Sequence, residues 1–272
     1  MIDRFGLHPE PLGTEAIARF TRHLVEIADP AALDLPVKTC GDWTMADLLW
    51  HLTEVQSFWA WIIENRPAPV DEAEMPDRGV AAALRAQLVD ANDRLCAAID
   101  GAPFDAETWT WHPDHRSVDF SVRRQTHEAL IHCFDGVLAA EASAPEVEAE
   151  LAADGFDELV TVVAGGVPEW AEYSPSDRRI DVRTDDTDDR WLLEFGTISG
   201  RSPRGNDYDN EPTIRVVDDR SEPDPTVACR LSGRAVDLDL WAWGRGPVTP
   251  LTVDGDHDVV NAFREFIVGS TQ

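Results

Sequence analysis

The sequence contains few cysteines, and none are paired at a spacing typical of metal binding or redox chemistry. The four are far apart in the chain: Cys40, Cys96, Cys133 and Cys229. This spacing excludes a zinc ribbon and a thioredoxin-type redox motif, and it argues against a disulfide framework. We expect reduced thiols that pack as small hydrophobic side chains.

Positive charge is also scarce. The chain has 23 basic residues against 52 acidic ones, a net charge of −29, and a single lysine, Lys38. An acidic surface of this strength repels phosphate backbones, so we expect no nucleic-acid partner. The acidity itself is typical of a well-solvated surface.

Long apolar runs are missing, so the sequence predicts no membrane span. The first six residues lack the basic segment and apolar run of a signal peptide, and a cytoplasmic location is expected. A length of 272 residues with 43% hydrophobic content indicates one large or two ordinary globular domains.

The first half of the chain predicts helices. Apolar residues recur at helical spacing, and Thr44 with Asp47 forms a capping-box variant that begins the second helix. Four helices of this length with Pro- and Asp-rich connections indicate a four-helix bundle over residues 1–145. The predicted ranges are 13–28, a helix from residue 44, 80–99 and 120–140.

The second half, residues 146–272, predicts a smaller α+β domain. A helix over residues 147–163 is followed by short runs bounded by turn residues, which predict strands. Strands mixed with helices in this order favour an α+β fold. Strands are expected at 180–183, 190–195, 213–217, 227–231 and 251–253, and helices at 234–243 and 259–268.

Three residues have the character of metal ligands. His51 lies on the second predicted helix, and Glu128 and His132 lie one turn apart on one face of the fourth. Two imidazoles and one carboxylate are the ligands of an open zinc site, which leaves a position for water or substrate. Spacing alone also fits a hydrogen-bonded core histidine and an ordinary exposed i,i+4 pair.

Other polar residues near these segments are weaker candidates. His112 and His115 flank Pro113, which predicts a turn. Cys133 follows His132, but neighbours on a helix point about 100° apart. Arg123 and Arg124 are candidates to pair with the acidic surface or to reach an anionic ligand.

Two segments resemble the mycothiol-dependent maleylpyruvate isomerase family, which belongs to the DinB-like four-helix metalloproteins. They are residues 42–52 (DWTMADLLWHL) and 123–135 (RRQTHEALIHCFD). The resemblance implies that His51, Glu128 and His132 hold a divalent ion, usually zinc. Residues 151–159 (LAADGFDEL) resemble the entry into the second domain of the family.

The resemblance continues into the second half. Residues 231–238 (LSGRAVDL) and 240–245 (LWAWGR) are similar to a run in the C-terminal domain of the family, which implies a sterol-carrier-like α+β fold. It also implies that Arg245 is catalytic and that Arg245 with Trp243 binds the thiol cofactor. An arginine suits this task because its planar fork binds carboxylates bidentately.

The implied chemistry is thiol activation. Zinc with two neutral imidazoles and one carboxylate keeps a net charge near +1, which favours a soft thiolate as the next ligand. The implied partners are mycothiol and a small electrophile, with the protein a monomer or homodimer. One reaction is the conversion of maleylpyruvate to fumarylpyruvate by addition and expulsion of the thiolate; mycothiol S-transfer to another electrophile is the other.

Two further functions stay open at this point. A DinB-like metal-dependent hydrolase would use zinc-bound water and a general base, for which Glu54 is the candidate. A non-enzymatic small-ligand-binding protein would use the sterol-carrier-like domain and need no working metal site.

Overall fold

The structure, a computed structural model, describes residues 12–68, 70–217 and 226–271. The chain forms two compact units that divide between Glu146 and Val147. The N-terminal segment that argues against a signal peptide lies outside the described residues. In the described part of the chain, no helix combines the length and hydropathy that a membrane span requires.

The first unit is a bundle in which α1 and α2 each pack against both α3 and α4. The helices are α1 Thr14–Ile27, α2 Met45–Glu64, α3 Ala81–Asp100 and α4 Val118–Ala140. All four predicted helices are confirmed. Every predicted end lies within two residues of the observed one, and for α2 only the start was predicted. Leu24, Leu48, Leu52 and Leu88 are fully buried in one hydrophobic cluster of this bundle.

Local sequence explains where α2 begins. The Oγ1 of Thr44 accepts a hydrogen bond from the backbone N–H of Asp47, and an Asp47 carboxylate oxygen accepts one from the Thr44 N–H. This capping box satisfies two backbone donors that a helix start leaves open. It fixes the helical register that carries His51.

The second unit contains a five-stranded sheet with the order β3-β2-β1-β4-β5. β1 pairs with β4 in parallel, and the other neighbours are antiparallel. The strands are β1 Ala171–Thr184, β2 Arg190–Arg201, β3 Asp207–Val217, β4 Cys229–Gly233 and β5 Thr252–Gly255. The helices are α5 Ala149–Glu158, with a π turn at Leu159–Val163, α6 Ala235–Ala242 and α7 His257–Ser270.

The predicted two-domain α+β class is confirmed, but the first three strands are longer than predicted. β1 begins nine residues before the predicted start, in a stretch that contains Glu172, Pro175 and Asp177. Such residues have low intrinsic strand preference. The stretch is a strand because residues 171–175 pair with residues 196–200 of β2. No local sequence pattern reveals this pairing.

The two faces of this sheet differ. Ile180, Val182 and Leu193 are fully buried on one face. On the other face, two buried carboxylates each form ion pairs with two arginines. Asp181 pairs with Arg183 and Arg190, and Glu194 pairs with Arg179 and Arg215. This alternation is the period of two expected for strands.

Candidate metal centre

The candidate centre lies between α2 and α4 of the bundle. His51 is in the second turn of α2, and α4 presents Glu128 and His132 one turn apart. A single Glu128 oxygen, Oε1, lies 3.3 Å from His51 Nε2 and 3.2 Å from His132 Nε2. The three predicted metal ligands therefore converge, although they come from distant parts of the sequence.

Two of the three separations between donor atoms match those around a tetrahedral ion. One ligand atom from each residue lies within 4.8 Å of the others. Zinc holds nitrogen and oxygen ligands at roughly 2.0–2.1 Å, so two neighbours on a tetrahedron stand about 3.3 Å apart. The Glu128–His51 and Glu128–His132 distances have this value, so the residues present are suited to hold a divalent ion.

The centre is partly open to solvent. The exposed fraction of the side chain falls from 31% at His51 to 19% at Glu128 and 12% at His132. Glu128 and His132 are thus not an ordinary exposed pair. The His51 side is therefore the side of the centre that solvent reaches.

His132 is held in orientation by Asp135, one turn further along α4. Its Nδ1 lies 2.9 Å from Asp135 Oδ2, and the Asp135 carboxylate is fully buried. A carboxylate accepts only from a protonated Nδ1, so Nε2 faces the other ligands. A metal-binding histidine typically donates its second N–H to such a group.

Asp135 is itself held from the segment that precedes α2. The Thr39 hydroxyl donates to Asp135 Oδ1, and the Cys40 thiol donates to Oδ2 at 3.3 Å. Cys40, His132 and Asp135 form a second group with metal-ligand spacing. Because it uses the Nδ1 side of His132, we interpret it as the support behind the ligand set.

Glu128 is held by a cation. Arg124 Nη2 donates to Glu128 Oε2 at 2.8 Å, and both residues are largely buried. This contact leaves Oε1 directed at the two imidazoles. Arg124 thus pairs with a largely buried carboxylate of the candidate centre and not with the acidic surface.

The electrostatics of the centre favour a carboxylate among protonated neighbours. Burial raises the pKa of Glu128, but hydrogen bonds from His132 and His51 and the charge of Arg124 hold that pKa well below its ordinary value. Burial lowers the pKa of His132, but hydrogen bonds with Asp135, Cys40 and Glu128 outweigh it and raise that pKa well above its ordinary value. A bound cation would replace the proton between these groups.

Trp43 forms an aromatic wall beside the two histidines. Its ring centroid lies 4.8 Å from that of His51 and 6.3 Å from that of His132, and the planes of the Trp43 and His132 rings meet at 29°. The two imidazoles meet edge to face at 4.8 Å. Such contacts restrict ring rotation.

Arg245 and Trp243 follow α6 in the second unit. Arg245 Nη1 donates to the Trp243 carbonyl oxygen at 2.6 Å, and its guanidinium lies 5.9 Å from the Trp243 ring. Trp243 is buried, and its Nε1 has no hydrogen-bond partner among the described residues. Their role toward a thiol stays a prediction.

The weaker candidates do not join the centre. The rings of His112 and His115 lie 4.5 Å apart and are tilted by 36° in the loop before α4. Neither residue belongs to a metal-type group among the described residues. Cys133 is buried, and its pKa is raised to about 12 by desolvation. A thiol of that kind is unreactive.

Sequence reasoning missed the support of the ligand set. Asp135 lies three residues after His132, a spacing that brings side chains together on a helix and could have indicated it. Thr39 and Cys40 approach only through the fold, so no local spacing marks them. Because the Asp135 carboxylate is fully buried, it depends on protein donors such as Thr39 and Cys40 for its hydrogen bonds.

Fold and site define this chain as a two-domain α+β protein whose helical unit carries a candidate open metal centre. The model for the mycothiol maleylpyruvate isomerase N-terminal domain matches residues 14–136, and that for the MDMPI C-terminal domain matches residues 150–262. The chain belongs to the mycothiol-dependent maleylpyruvate isomerase family, a family of enzymes. The resemblance noted in the sequence is confirmed.

Two crystal structures share the fold. One is the mycothiol-dependent maleylpyruvate isomerase, with a TM-score of 0.55 and 14% identity. The other is a histidine-to-alanine mutant of the mycothiol-dependent maleylpyruvate isomerase, with a TM-score of 0.57 and 12% identity. Each similarity covers 89% of this chain and 91% of the other. No curated protein matches by sequence.

Proposed function

We propose that this protein is a mycothiol-dependent metalloenzyme acting on a small electrophile. His51, Glu128 and His132 hold a divalent ion of the zinc type. The observation that carries the proposal is the convergence of both Nε2 atoms on Glu128 Oε1 at 3.2–3.3 Å, in a chain of this family.

The donor set suits thiol activation. When bound, such an ion supplies a positive centre that lowers the pKa of a coordinated thiol and makes it nucleophilic at neutral pH. Glu128 contributes the one negative charge among the three ligands, so a net positive charge remains for an anionic sulfur. No protein thiol has to act as nucleophile, which agrees with the inert character of Cys133.

The residues around the ligands keep the set preorganised. Asp135 fixes the tautomer of His132, and Arg124 holds the orientation of Glu128. Trp43 limits water on one side of the two imidazoles. A preorganised, partly desolvated site lowers the cost of reorganisation during the reaction.

Arg245 and Trp243 are proposed to bind the thiol cofactor. A guanidinium fork binds a carboxylate with two parallel hydrogen bonds. The indole N–H of Trp243, which has no partner within the described segments, is a donor that a polar cofactor can use. Arg245 orients either the thiol or the carboxylates of the electrophile.

The reaction is isomerisation of maleylpyruvate to fumarylpyruvate or transfer of mycothiol to another electrophile. Stopped-flow assays of zinc-loaded protein with maleylpyruvate and with a panel of electrophiles, each with and without mycothiol, distinguish the two. Turnover that requires catalytic mycothiol indicates isomerisation, and stoichiometric consumption indicates transfer. Turnover of an amide or ester without any thiol would contradict the proposal in favour of a hydrolase.

A further inference from the structure

Two polar residues without a role so far share the helical face of the candidate metal ligands. Ser121, Gln125, Glu128 and His132 follow one another on α4 at steps of four, three and four residues. At 100° per residue, their side chains leave the helix within an arc of about 60°. Ser121 and Gln125 therefore extend the stripe of the ligands by two turns.

Both side chains are buried, and in the described part of the chain neither has a hydrogen-bond partner. The exposed fraction is 1% for Gln125 and 0% for Ser121. Neither amide atom of Gln125, Nε2 or Oε1, has a partner in the described part of the chain, nor has the Ser121 hydroxyl. Buried polar groups are normally paired, because leaving them unpaired costs free energy.

Another buried glutamine of the bundle is the contrasting case. Gln56 on α2 is also fully buried, but its Nε2 donates to Thr21 Oγ1 at 2.9 Å and its Oε1 accepts from Asn92 Nδ2 at 3.4 Å. The bundle thus pairs an internal amide where that amide serves the fold. The unpaired amide of Gln125 lies beside the candidate centre.

We propose that Gln125 and Ser121 form a subsite that binds a carboxylate or keto oxygen of the electrophile; this rests on the proposed function. The amide N–H and the hydroxyl both donate to oxygen acceptors. Gln125 stands one turn from Glu128, about 5–6 Å between Cβ atoms, a span that a small keto acid or dicarboxylate can bridge. Full burial suits a small group and not the bulk of a large thiol.

The test compares Gln125→Leu with Gln56→Leu as the matched control. Metal analysis measures the zinc content of each purified protein, and scanning calorimetry measures its melting temperature. Titration calorimetry measures the binding of maleate, a cis-dicarboxylate probe. We expect Gln125→Leu to keep its zinc and its melting temperature while maleate binds about tenfold or more weakly. Gln56→Leu should melt earlier because Thr21 and Asn92 lose their partner, and it should keep its maleate affinity.

Ser121→Ala is a smaller change that keeps the proposal testable if Gln125→Leu does not fold, and it should weaken maleate binding several-fold. Unchanged maleate affinity in the variants, no maleate binding by the unmodified protein, or a loss of melting temperature in Gln125→Leu as large as in Gln56→Leu would each overturn the subsite. Absence of zinc with normal maleate binding would count against the proposed function alone.

Discussion

Asp135 Oδ2 lies 2.9 Å from Nδ1 of His132, and through this contact a fully buried carboxylate fixes a histidine of the candidate metal centre. The contact selects the tautomer whose Nε2 faces Glu128. It also connects the centre to the segment before α2, since Thr39 and Cys40 donate to the same carboxylate. The ligand geometry thus depends on α2, which carries His51, on α4, and on the segment before α2.

Replacing this carboxylate should weaken metal binding without removing a ligand. We expect Asp135→Asn to lower zinc affinity by about 10- to 100-fold, because the amide no longer fixes the His132 tautomer. Competition with a chromophoric chelator measures the affinity. Asp181→Asn, at an equally buried carboxylate of the second unit, should leave it unchanged. Equal affinity in Asp135→Asn and the unmodified protein would show that Asp135 does not position the ligand.

Removal of a proposed ligand should have a larger effect. His51→Ala and His132→Ala are each expected to abolish zinc retention and thiol chemistry while most of the fold remains, since two protein ligands do not hold zinc firmly. Metal analysis and circular dichroism check this. His112→Ala is the matched control and should keep its zinc, because His112 lies outside the centre. Full zinc content in both ligand variants would refute the assignment.

Zinc binding should release a proton at neutral pH. The pKa of His132 in the metal-free protein is raised well above its ordinary value, so its imidazole carries a proton that the metal displaces. Zinc affinity should therefore increase with pH. Titration calorimetry in buffers of different ionisation enthalpy measures the number of protons released.

The raised pKa of His132 should also make the stability of the metal-free protein depend on pH. A pKa raised on folding stabilises the metal-free protein fully below the unfolded value, about 6.5, and this stabilisation is lost as pH rises through the folded value. The melting temperature of metal-free protein should fall on the alkaline side, and His132→Ala should flatten that part of the profile. Identical profiles would contradict a raised His132 pKa.

The start of α2 gives a prediction at acid pH. Hydrogen bonds from the Thr44 side chain and backbone lower the pKa of Asp47 to about 2. Asp47→Ala should reduce the free energy of unfolding by about 1 kcal/mol at neutral pH. A pKa lowered on folding gives stability above the unfolded value, so the difference should vanish as pH falls toward 2.

Urea unfolding at several pH values measures this difference. Asp90→Ala, at an exposed position inside α3, is the control and should have little effect. A difference for Asp47→Ala that stays constant down to the lowest pH would contradict the capping role.

Arg245→Ala should raise the apparent KM for mycothiol about tenfold or more with zinc still bound. Arg245→Lys should recover only part of the loss, because an ammonium lacks the planar fork of a guanidinium. Steady-state kinetics and metal analysis on the same samples check both points. Loss of zinc from Arg245→Ala would show that this arginine has a different role.

Local sequence predicted the elements with strong local signals. Apolar periodicity located the four bundle helices, and the Thr44–Asp47 pair located the start of α2. The i,i+4 spacing of Glu128 and His132 indicated half of the candidate centre. His51 joined it on residue type and on the family resemblance, because its approach to α4 is a property of packing.

Features set by tertiary pairing were not predictable in this way. The first part of β1 is a strand only because β2 lies beside it. The hydrogen bonds of Thr39 and Cys40 to Asp135 join residues about a hundred positions apart. The sequence also does not mark Gln125 as a buried amide that lacks a partner among the described residues. In each case the deciding contact, or its absence, depends on a distant segment.

Activation of mycothiol by a metal bound to His51, Glu128 and His132 is tested first by metal analysis of the purified protein. Cobalt-substituted protein is then titrated with mycothiol while its absorption spectrum is recorded. We expect about one metal ion per chain and a new thiolate-to-cobalt charge-transfer band when mycothiol is added. Metal without the band would contradict thiol activation and favour a hydrolase. Absence of metal would contradict the ligand assignment and favour a ligand-binding protein.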